Sequence, residues 1–224
     1  MKKNKIFVAC DSTNISKIKK IIEHTSDTKL KIGYKFGLEF LNSKNGRNFI
    51  SKLKKKIIFV DLKLHDIPNT CVSTIKAIKD LRVNYLTIHI SSGLQALKAA
   101  KKVSGPIRLV GVSILTSLDN KELKEIGFNK NIKRLVLHQA RLAKKAKLDA
   151  IVCSAKEVQI VRKVFKKEII TPGIRFHSNN NDQKRVLTPK QALKNGAHSL
   201  VIGRNITRGN IKKNIKSLIS HLSQ

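Results

Sequence analysis

The chain has 224 residues, of which 41% are hydrophobic and 4% are aromatic, so it can bury an aliphatic core as one domain over residues 1–224. No apolar run approaches the ~20 residues of a membrane span, and the run at residues 6–10 is too short for a signal peptide. Cys10, Cys71 and Cys153 are isolated from one another, which argues against a disulfide framework and predicts a cytoplasmic protein.

The charge is strongly basic, with 47 Lys and Arg against 14 Asp and Glu and a formal net charge of +33. Such a field attracts nucleic acid, anionic lipid or a phosphorylated substrate. The lysines are spread along the chain in pairs and triples, however, with few aromatic residues among them to stack on bases. We therefore expect only non-specific affinity for nucleic acid, and a basic nucleic-acid-binding protein remains an alternative. The role of the charge stays unassigned.

Short apolar strands alternate with helical patterns along the whole chain. The predicted strands are residues 6–10, 30–33, 57–62, 85–89, 109–115, 150–153, 168–171 and 199–202. The predicted helices are residues 15–22, 38–54, 70–81, 93–103, 121–126, 132–147, 155–165, 189–195 and 211–222. Eight strand-helix units in this length predict a (β/α)8 barrel rather than an open doubly wound sheet.

Polar residues gather where the predicted strands end, which is where barrels of this kind carry their chemistry. This set comprises Asp11, Lys31, Asp61, Lys63, Asp66, His89, Thr116, Arg175 and Arg204. Phosphate sites in these barrels frequently follow strands seven and eight. Arg175 and Arg204 fall in those two loops, and Gly203 would let backbone N–H groups approach a ligand closely.

The densest of these stretches is residues 61–70, Asp-Leu-Lys-Leu-His-Asp-Ile-Pro-Asn-Thr. Asp61 and Lys63 are two apart on a strand and so share a face, whereas Asp66 falls in the following turn. Opposite charges at a strand end indicate either an ion pair at the rim of a sheet or a catalytic array. The charges at the other strand ends favour the array.

This stretch closely resembles the signature of the orotidine 5′-monophosphate decarboxylase family. Similar blocks follow in order over nearly the whole chain: residues 9–11, 30–33, 114–117, 152–155, 171–175, 182–185 and 201–204.

The resemblance implies decarboxylation of orotidine 5′-monophosphate to uridine 5′-monophosphate, the last step of de novo pyrimidine synthesis, without metal or organic cofactor. Lys31, Asp61, Lys63 and Asp66 match the family's catalytic array, and Asp66 would be lent by the other subunit of a homodimer. Lys29 and Lys35 lie close to Lys31 in sequence, but the Lys-Ile-Gly context favours Lys31. The residues that the resemblance assigns to substrate binding are Asp11, Lys31, Asp61, Ile67, Thr70, Thr116, Arg175, Gln183, Gly203 and Arg204.

Losing CO2 from C6 of the pyrimidine leaves a carbanion that no neighbouring carbonyl delocalises, so the protein must stabilise charge and supply a proton. Lys63 is the expected proton donor, and Asp61 would hold it in place and charged. Residues 178–182 are read either as a loop that closes over the phosphate or as an ordinary solvent loop. His65 and His89 receive no role.

One enzymatic alternative remains, a metal-dependent sugar-phosphate decarboxylase or aldolase on the same kind of barrel. In such an enzyme a D-x-K-x-x-D pattern can hold a divalent metal. The continuation through residues 67–70 and the block at residues 171–175 argue against it.

Overall fold

The computed structural model describes residues 4–176 and 187–223, and eight parallel strands in this part of the chain close into a barrel in chain order. The strands are β1 (Lys5–Ala9), β2 (Lys31–Gly37), β3 (Ile57–Leu64), β4 (Tyr85–His89), β5 (Arg108–Val112), β6 (Ala150–Val152), β7 (Glu168–Thr171) and β8 (Ser199–Ile202). The predicted (β/α)8 architecture is confirmed.

Helices connect successive strands and cover the outside of the barrel. They are α1 (Ile15–Ser26), α2 (Leu38–Leu41), α3 (Gly46–Ser51), α4 (Pro68–Ala77), α5 (Gly93–Val103), α6 (Asn120–Glu125), α7 (Ile132–Lys145), α8 (Val158–Val164), α9 (Pro189–Lys194), α10 (Arg204–Thr207) and α11 (Ile211–Ser223). Short 3-10 turns occupy Lys79–Leu81 and Ile90–Ser92. None of the helices in the described ranges is long and apolar enough to cross a membrane.

The strands divide their side chains between two cores. Phe7, Phe59 and Tyr85 fill the barrel interior, where the ring of Phe7 meets those of Phe59 and Tyr85 edge-on at 5.0 and 5.1 Å between centroids. Neighbours along a strand, such as Ile6 and Val8, point outward into the aliphatic layer beneath the helices. The interior packing leaves the carboxyl ends of the strands as the place where a cavity can form.

The second strand and the helices after it differ from the prediction. β2 continues to Gly37 instead of ending at Gly33, because residues 31–35 pair with β1 and residues 33–37 pair with β3. Gly33 is required inside, since a Cβ there would lie 2.8 Å from the ring of Phe7. The single helix predicted over residues 38–54 is two short helices. Gly46 opens the second one, where a Cβ would lie 1.8 Å from the carbonyl oxygen of Phe40.

A charged cluster closes the amino end of the barrel. Glu168 pairs with Lys5 at 3.2 Å and with Arg108 at 2.9 Å, and it accepts hydrogen bonds from Ser199 and Tyr85 at 2.6 and 3.0 Å. Each of these five residues begins its strand. The end of the barrel opposite the cavity is therefore closed by ion pairs and hydrogen bonds.

Candidate active site

A cavity of about 770 Å³ opens at the carboxyl ends of the strands. This volume suits a small-molecule ligand. Seven of the predicted site residues line it: Asp11, Asp61, Lys63, Thr116, Arg175, Gly203 and Arg204. The barrel therefore brings together residues that lie up to 193 positions apart in sequence, from 11 to 204.

A chain of alternating charges crosses the floor of the cavity. The Lys63 Nζ lies 2.9 Å from Asp61 Oδ2, and Lys35 Nζ lies 3.3 Å from the same oxygen. Lys35 Nζ also lies 3.3 Å from Asp11 Oδ1. Two ammonium groups and two carboxylates thus alternate, so each charge lies next to one of opposite sign.

Lys31 does not belong to this array, and its predicted place there is wrong. It begins β2 and pairs in register with Lys5 at the amino end of the barrel, whereas Lys35 lies four residues further along. At ~3.3 Å per residue, this places the Lys31 backbone about 13 Å from the position of Lys35. Both residues share a strand face, so the error is one of strand length. A strand extended from Gly33 to Gly37 by period two would have indicated Lys35.

Within the array, the surrounding charges keep Lys35 and Asp61 in their charged forms. Burial alone would lower the pKa of Lys35, but the carboxylates of Asp61 and Asp11 raise that pKa above its ordinary value. Burial alone would raise the pKa of Asp61, but Lys35, Lys63 and the hydroxyl of Thr87 hold it below its ordinary value. Lys35 and Asp61 are therefore ionised at neutral pH.

The backbone of β3 is irregular where the array forms. Val60 pairs with Leu86 and Leu64 with Ile88, so three residues of β3 lie opposite one residue of β4. Lys63, within this bulge, has φ of +50°, a left-handed conformation that costs a non-glycine residue about 1 kcal/mol or more. Bulges of this kind re-aim side chains and are frequent near active sites.

Cations cluster at the other end of the cavity. Arg175 follows β7, and Arg204 opens α10 after β8. Gly203, between β8 and α10, has no side chain to occupy the space beside Asp11. A Cβ at Gly203 would lie 3.9 Å from Asp11 Oδ2. Sequence reasoning missed Lys17 and Arg208, which also line this end. α11 packs against both α1 and α10, and this arrangement brings Lys17 of α1 and Arg208 after α10 to the cavity.

The second half of the 61–70 stretch turns away from this cavity. Asp66, Ile67 and Thr70 lie outside the set of described residues that line it. Asp66 is exposed, with Oδ1 accepting a hydrogen bond from the Ile67 N–H at 2.7 Å. Ile67 is 65% exposed immediately before α4, one of four large apolar side chains exposed in the described part of the chain.

The predicted binding residue Gln183 and the predicted loop at residues 178–182 lie outside the described residues. The rings of His65 and His89 lie 5.2 Å apart between centroids, tilted by 41° to each other. Burial, His65 and Lys63 lower the pKa of His89, which favours its neutral form. Within residues 4–176 and 187–223, no group of three or more His, Cys, Asp and Glu side chains is arranged to hold a metal ion.

Comparisons with known proteins agree with this geometry. The model of the "Orotidine 5′-phosphate decarboxylase / HUMPS family" matches residues 4–215. An orotidine 5′-phosphate decarboxylase of Wolbachia pipientis from Culex pipiens is 43% identical over 211 residues, covering 91% of this chain and 92% of that protein. The Prochlorococcus marinus (strain MIT 9215) enzyme of the same name is 40% identical over 220 residues, covering 92% and 89%.

Solved structures share the fold. A crystal structure of orotidine 5′-phosphate decarboxylase from Lactobacillus acidophilus superposes with a TM-score of 0.83 at 30% identity, covering 99% of this chain and 100% of that one. The Methanocaldococcus jannaschii enzyme, solved with the inhibitor BMP, gives a TM-score of 0.80 at 21% identity and supports the fold alone. By the match of its family model and by these relatives, the chain belongs to the orotidine 5′-phosphate decarboxylase / HUMPS family.

Proposed function

We propose that this protein decarboxylates orotidine 5′-monophosphate to uridine 5′-monophosphate. The observation that carries the proposal is the alternating chain Lys63–Asp61–Lys35–Asp11 on the floor of the cavity, with Arg175 and Arg204 at its far end. With the pyrimidine ring of the nucleotide above Lys63, its 5′-phosphate would point towards Arg175 and Arg204. The named relatives, all orotidine 5′-phosphate decarboxylases, support the same reaction.

Lys63 is the proposed proton donor. Breaking the bond between C6 and the carboxylate leaves an electron pair in the ring plane, and CO2 departs. The ammonium of Lys63 stabilises this charge and then transfers a proton to C6, giving uridine 5′-monophosphate and a neutral amine that solvent reprotonates. The side chain of Lys63 is 34% exposed, enough to reach into the cavity.

Asp61 and Lys35 prepare Lys63 for this step. Asp61 Oδ2 accepts a hydrogen bond from Lys63 Nζ at 2.9 Å and keeps the ammonium aimed into the cavity. Lys35 balances the charge of Asp61, so that the carboxylate does not take up a proton itself. Asp11, 58% exposed on its side chain, is available to accept hydrogen bonds from ribose hydroxyls.

The remaining predicted binding residues surround the distal half of the substrate. Arg175 and Arg204 would grip the phosphate as charged donors, and Gly203 admits the phosphate close to the backbone. Thr116, in the loop after β5, would contact the substrate. Gln183 completes the proposed phosphate grip by the resemblance alone.

A homodimer with shared sites is part of the proposal. Asp66, Ile67 and Thr70 are exposed and do not line their own cavity, which leaves them available to a partner subunit. In the partner's site, Asp66 would extend the alternating charges beyond Lys63.

The three cysteines, all in the described part of the chain, are buried and form no disulfide, which agrees with a cytoplasmic location.

A continuous absorbance assay with orotidine 5′-monophosphate tests the proposal. We expect the pyrimidine spectrum to change at the same rate with and without EDTA, and Lys63→Ala to abolish the change. Loss of turnover in EDTA would support the metal-dependent alternative. An unchanged spectrum with folded wild-type protein would refute the decarboxylase. Nucleic-acid binding that persists at high salt with sequence preference would favour the binding protein instead.

A further inference from the structure

Thr87, in the middle of β4, joins both ends of the Asp61–Lys63 pair through one hydroxyl. Its Oγ1 donates to Asp61 Oδ1 at 3.0 Å and accepts from the Lys63 backbone N–H at 2.7 Å. The residue is 1% exposed and is not among the described residues that line the cavity. It therefore acts on the site from behind.

The bulge in β3 explains why a hydroxyl is needed at this position. Asp61, Leu62 and Lys63 all lie opposite Thr87, so the regular ladder between β3 and β4 is interrupted here. The Thr87 side chain supplies the acceptor that the Lys63 N–H takes in place of a strand carbonyl. It also holds Lys63 at a φ of +50°, a conformation that persists only where the surroundings fix it.

The same hydroxyl sets the orientation of the Asp61 carboxylate. Oδ2 receives both ammonium groups, from Lys63 and Lys35, while Oδ1 receives the hydroxyl of Thr87. Without a donor at Oδ1 the carboxylate could rotate about its χ2 bond and share its oxygens differently between the lysines. Rotation would move the ammonium of Lys63 together with its partner.

We propose that Thr87 is a positioning residue whose hydroxyl fixes the Lys63 backbone and the Asp61 carboxylate in the one arrangement that aims the ammonium at the carbon to be protonated. The inference rests on the proposed decarboxylase function. It assigns a role to a buried side chain on β4 that is not among the described residues lining the cavity.

The test compares two isosteric substitutions at buried threonines on two strands of the barrel, β4 and β7. Thr87→Val removes both hydrogen bonds, and we expect kcat to fall about 30-fold with KM changed by less than about 3-fold, because binding groups elsewhere in the cavity are intact. Thr171→Val is the matched control. Thr171 is fully buried at the end of β7, and its hydroxyl has no hydrogen-bond partner in the described structure. This variant should keep the wild-type kcat.

Rescue by the conservative variant separates positioning from packing. Thr87→Ser keeps the hydroxyl and loses a methyl group, so its kcat should lie within about 3-fold of wild type. A Thr87→Val enzyme with wild-type kcat overturns the proposal, and so does a folded Thr87→Ser enzyme as slow as Thr87→Val. If Thr87→Val does not fold, Thr87→Ala takes its place under the same criteria.

The outcomes also separate this inference from the function on which it rests. A folded wild-type protein that leaves orotidine 5′-monophosphate unchanged refutes the decarboxylase itself. Turnover by wild type, lost in Lys63→Ala but retained in Thr87→Val, refutes only the role of Thr87.

Discussion

Lys35 contacts two carboxylates at the cavity floor, whereas Lys31 begins the same strand at the opposite end of the barrel. The Lys-Ile-Gly context that favoured Lys31 was not a sound basis for choosing, because Lys35 is also followed by an apolar residue and then by glycine. Their difference lies in the partners that neighbouring strands supply. Val8 and Ala9 of β1 pair with Tyr34 and Lys35, which extends β2 until the lysine reaches Asp61.

The pair gives a matched test at a single strand. Lys35→Ala leaves Asp61 and Asp11 without their shared ammonium, and we expect kcat/KM to fall by about 100-fold or more. Lys31→Ala removes the same charge from the far end of β2 and should stay within about 2-fold of wild type. The absorbance assay measures both. A larger loss in Lys31→Ala than in Lys35→Ala would contradict the assignment.

Elements were predicted well in kind and order but less well in extent. All eight strands were identified from their apolar residues, since each is buried on both faces. The polar ends of β2 and β3 were not predicted, because both strands continue through polar residues that pair with a neighbouring strand. The bulge in β3 and the hydroxyl of Thr87 behind it left no local signal, since their register depends on β4. Most of the charged site residues were therefore predictable from the sequence. The bulge and the Thr87 hydroxyl that hold them in place became evident only from the pairing of β3 with β4.

The charged cluster at the amino end of the barrel makes a prediction about strand packing. Glu168 there is bound by two cations and two hydroxyls. Glu168→Gln leaves Lys5 and Arg108 without their carboxylate, and we expect the free energy of unfolding at pH 7 to fall by about 2 kcal/mol. Urea denaturation measures it. Glu125→Gln, which removes only a 4.0 Å surface pair with Lys121, should change it by less than about 0.5 kcal/mol.

The same cluster fixes the pH dependence of this difference. Burial would raise the pKa of Glu168, but Ser199, Lys5 and Arg108 hold it below its ordinary value. A lowered folded-state pKa contributes stability that is fully present above the unfolded-state pKa of about 4.3 and is lost as the pH falls through the folded-state value. The gap between wild type and Glu168→Gln should therefore narrow below about pH 4. A gap that stays constant down to pH 3 would contradict this account of the ion pairs.

Two features of the whole molecule bear on its interactions with other molecules. They are the net charge of +33 and the exposed second half of the 61–70 stretch. Asp11 and Asp61 are the carboxylates among the described residues lining the cavity, and both are paired with Lys35. A substrate that carries both a phosphate and a carboxylate would thus meet a cavity whose remaining charges are positive. Asp66 does not line this cavity. In the proposed homodimer it would contribute its charge in the partner's site, so dimerisation would be a condition of activity and not only of stability.

Subunit mixing tests this arrangement directly. Asp61→Ala and Asp66→Ala should each be inactive as homodimers. In a heterodimer of the two, one site carries both substitutions and the other carries neither. Equal mixing with free exchange makes half of the dimers heterodimers, so activity should return to about a quarter of the wild-type value per subunit.

A second mixture provides the control, because complementation requires that the two defects come from different subunits of one site. Asp61→Ala mixed with Lys63→Ala places one defect in each site of the heterodimer, since both residues contact each other within one chain at 2.9 Å. That mixture should stay inactive. Mass spectrometry of differently tagged subunits measures the exchange. Confirmed exchange without recovery in the Asp61 and Asp66 mixture would mean that Asp66 serves its own barrel or none, and the shared site would have to be abandoned.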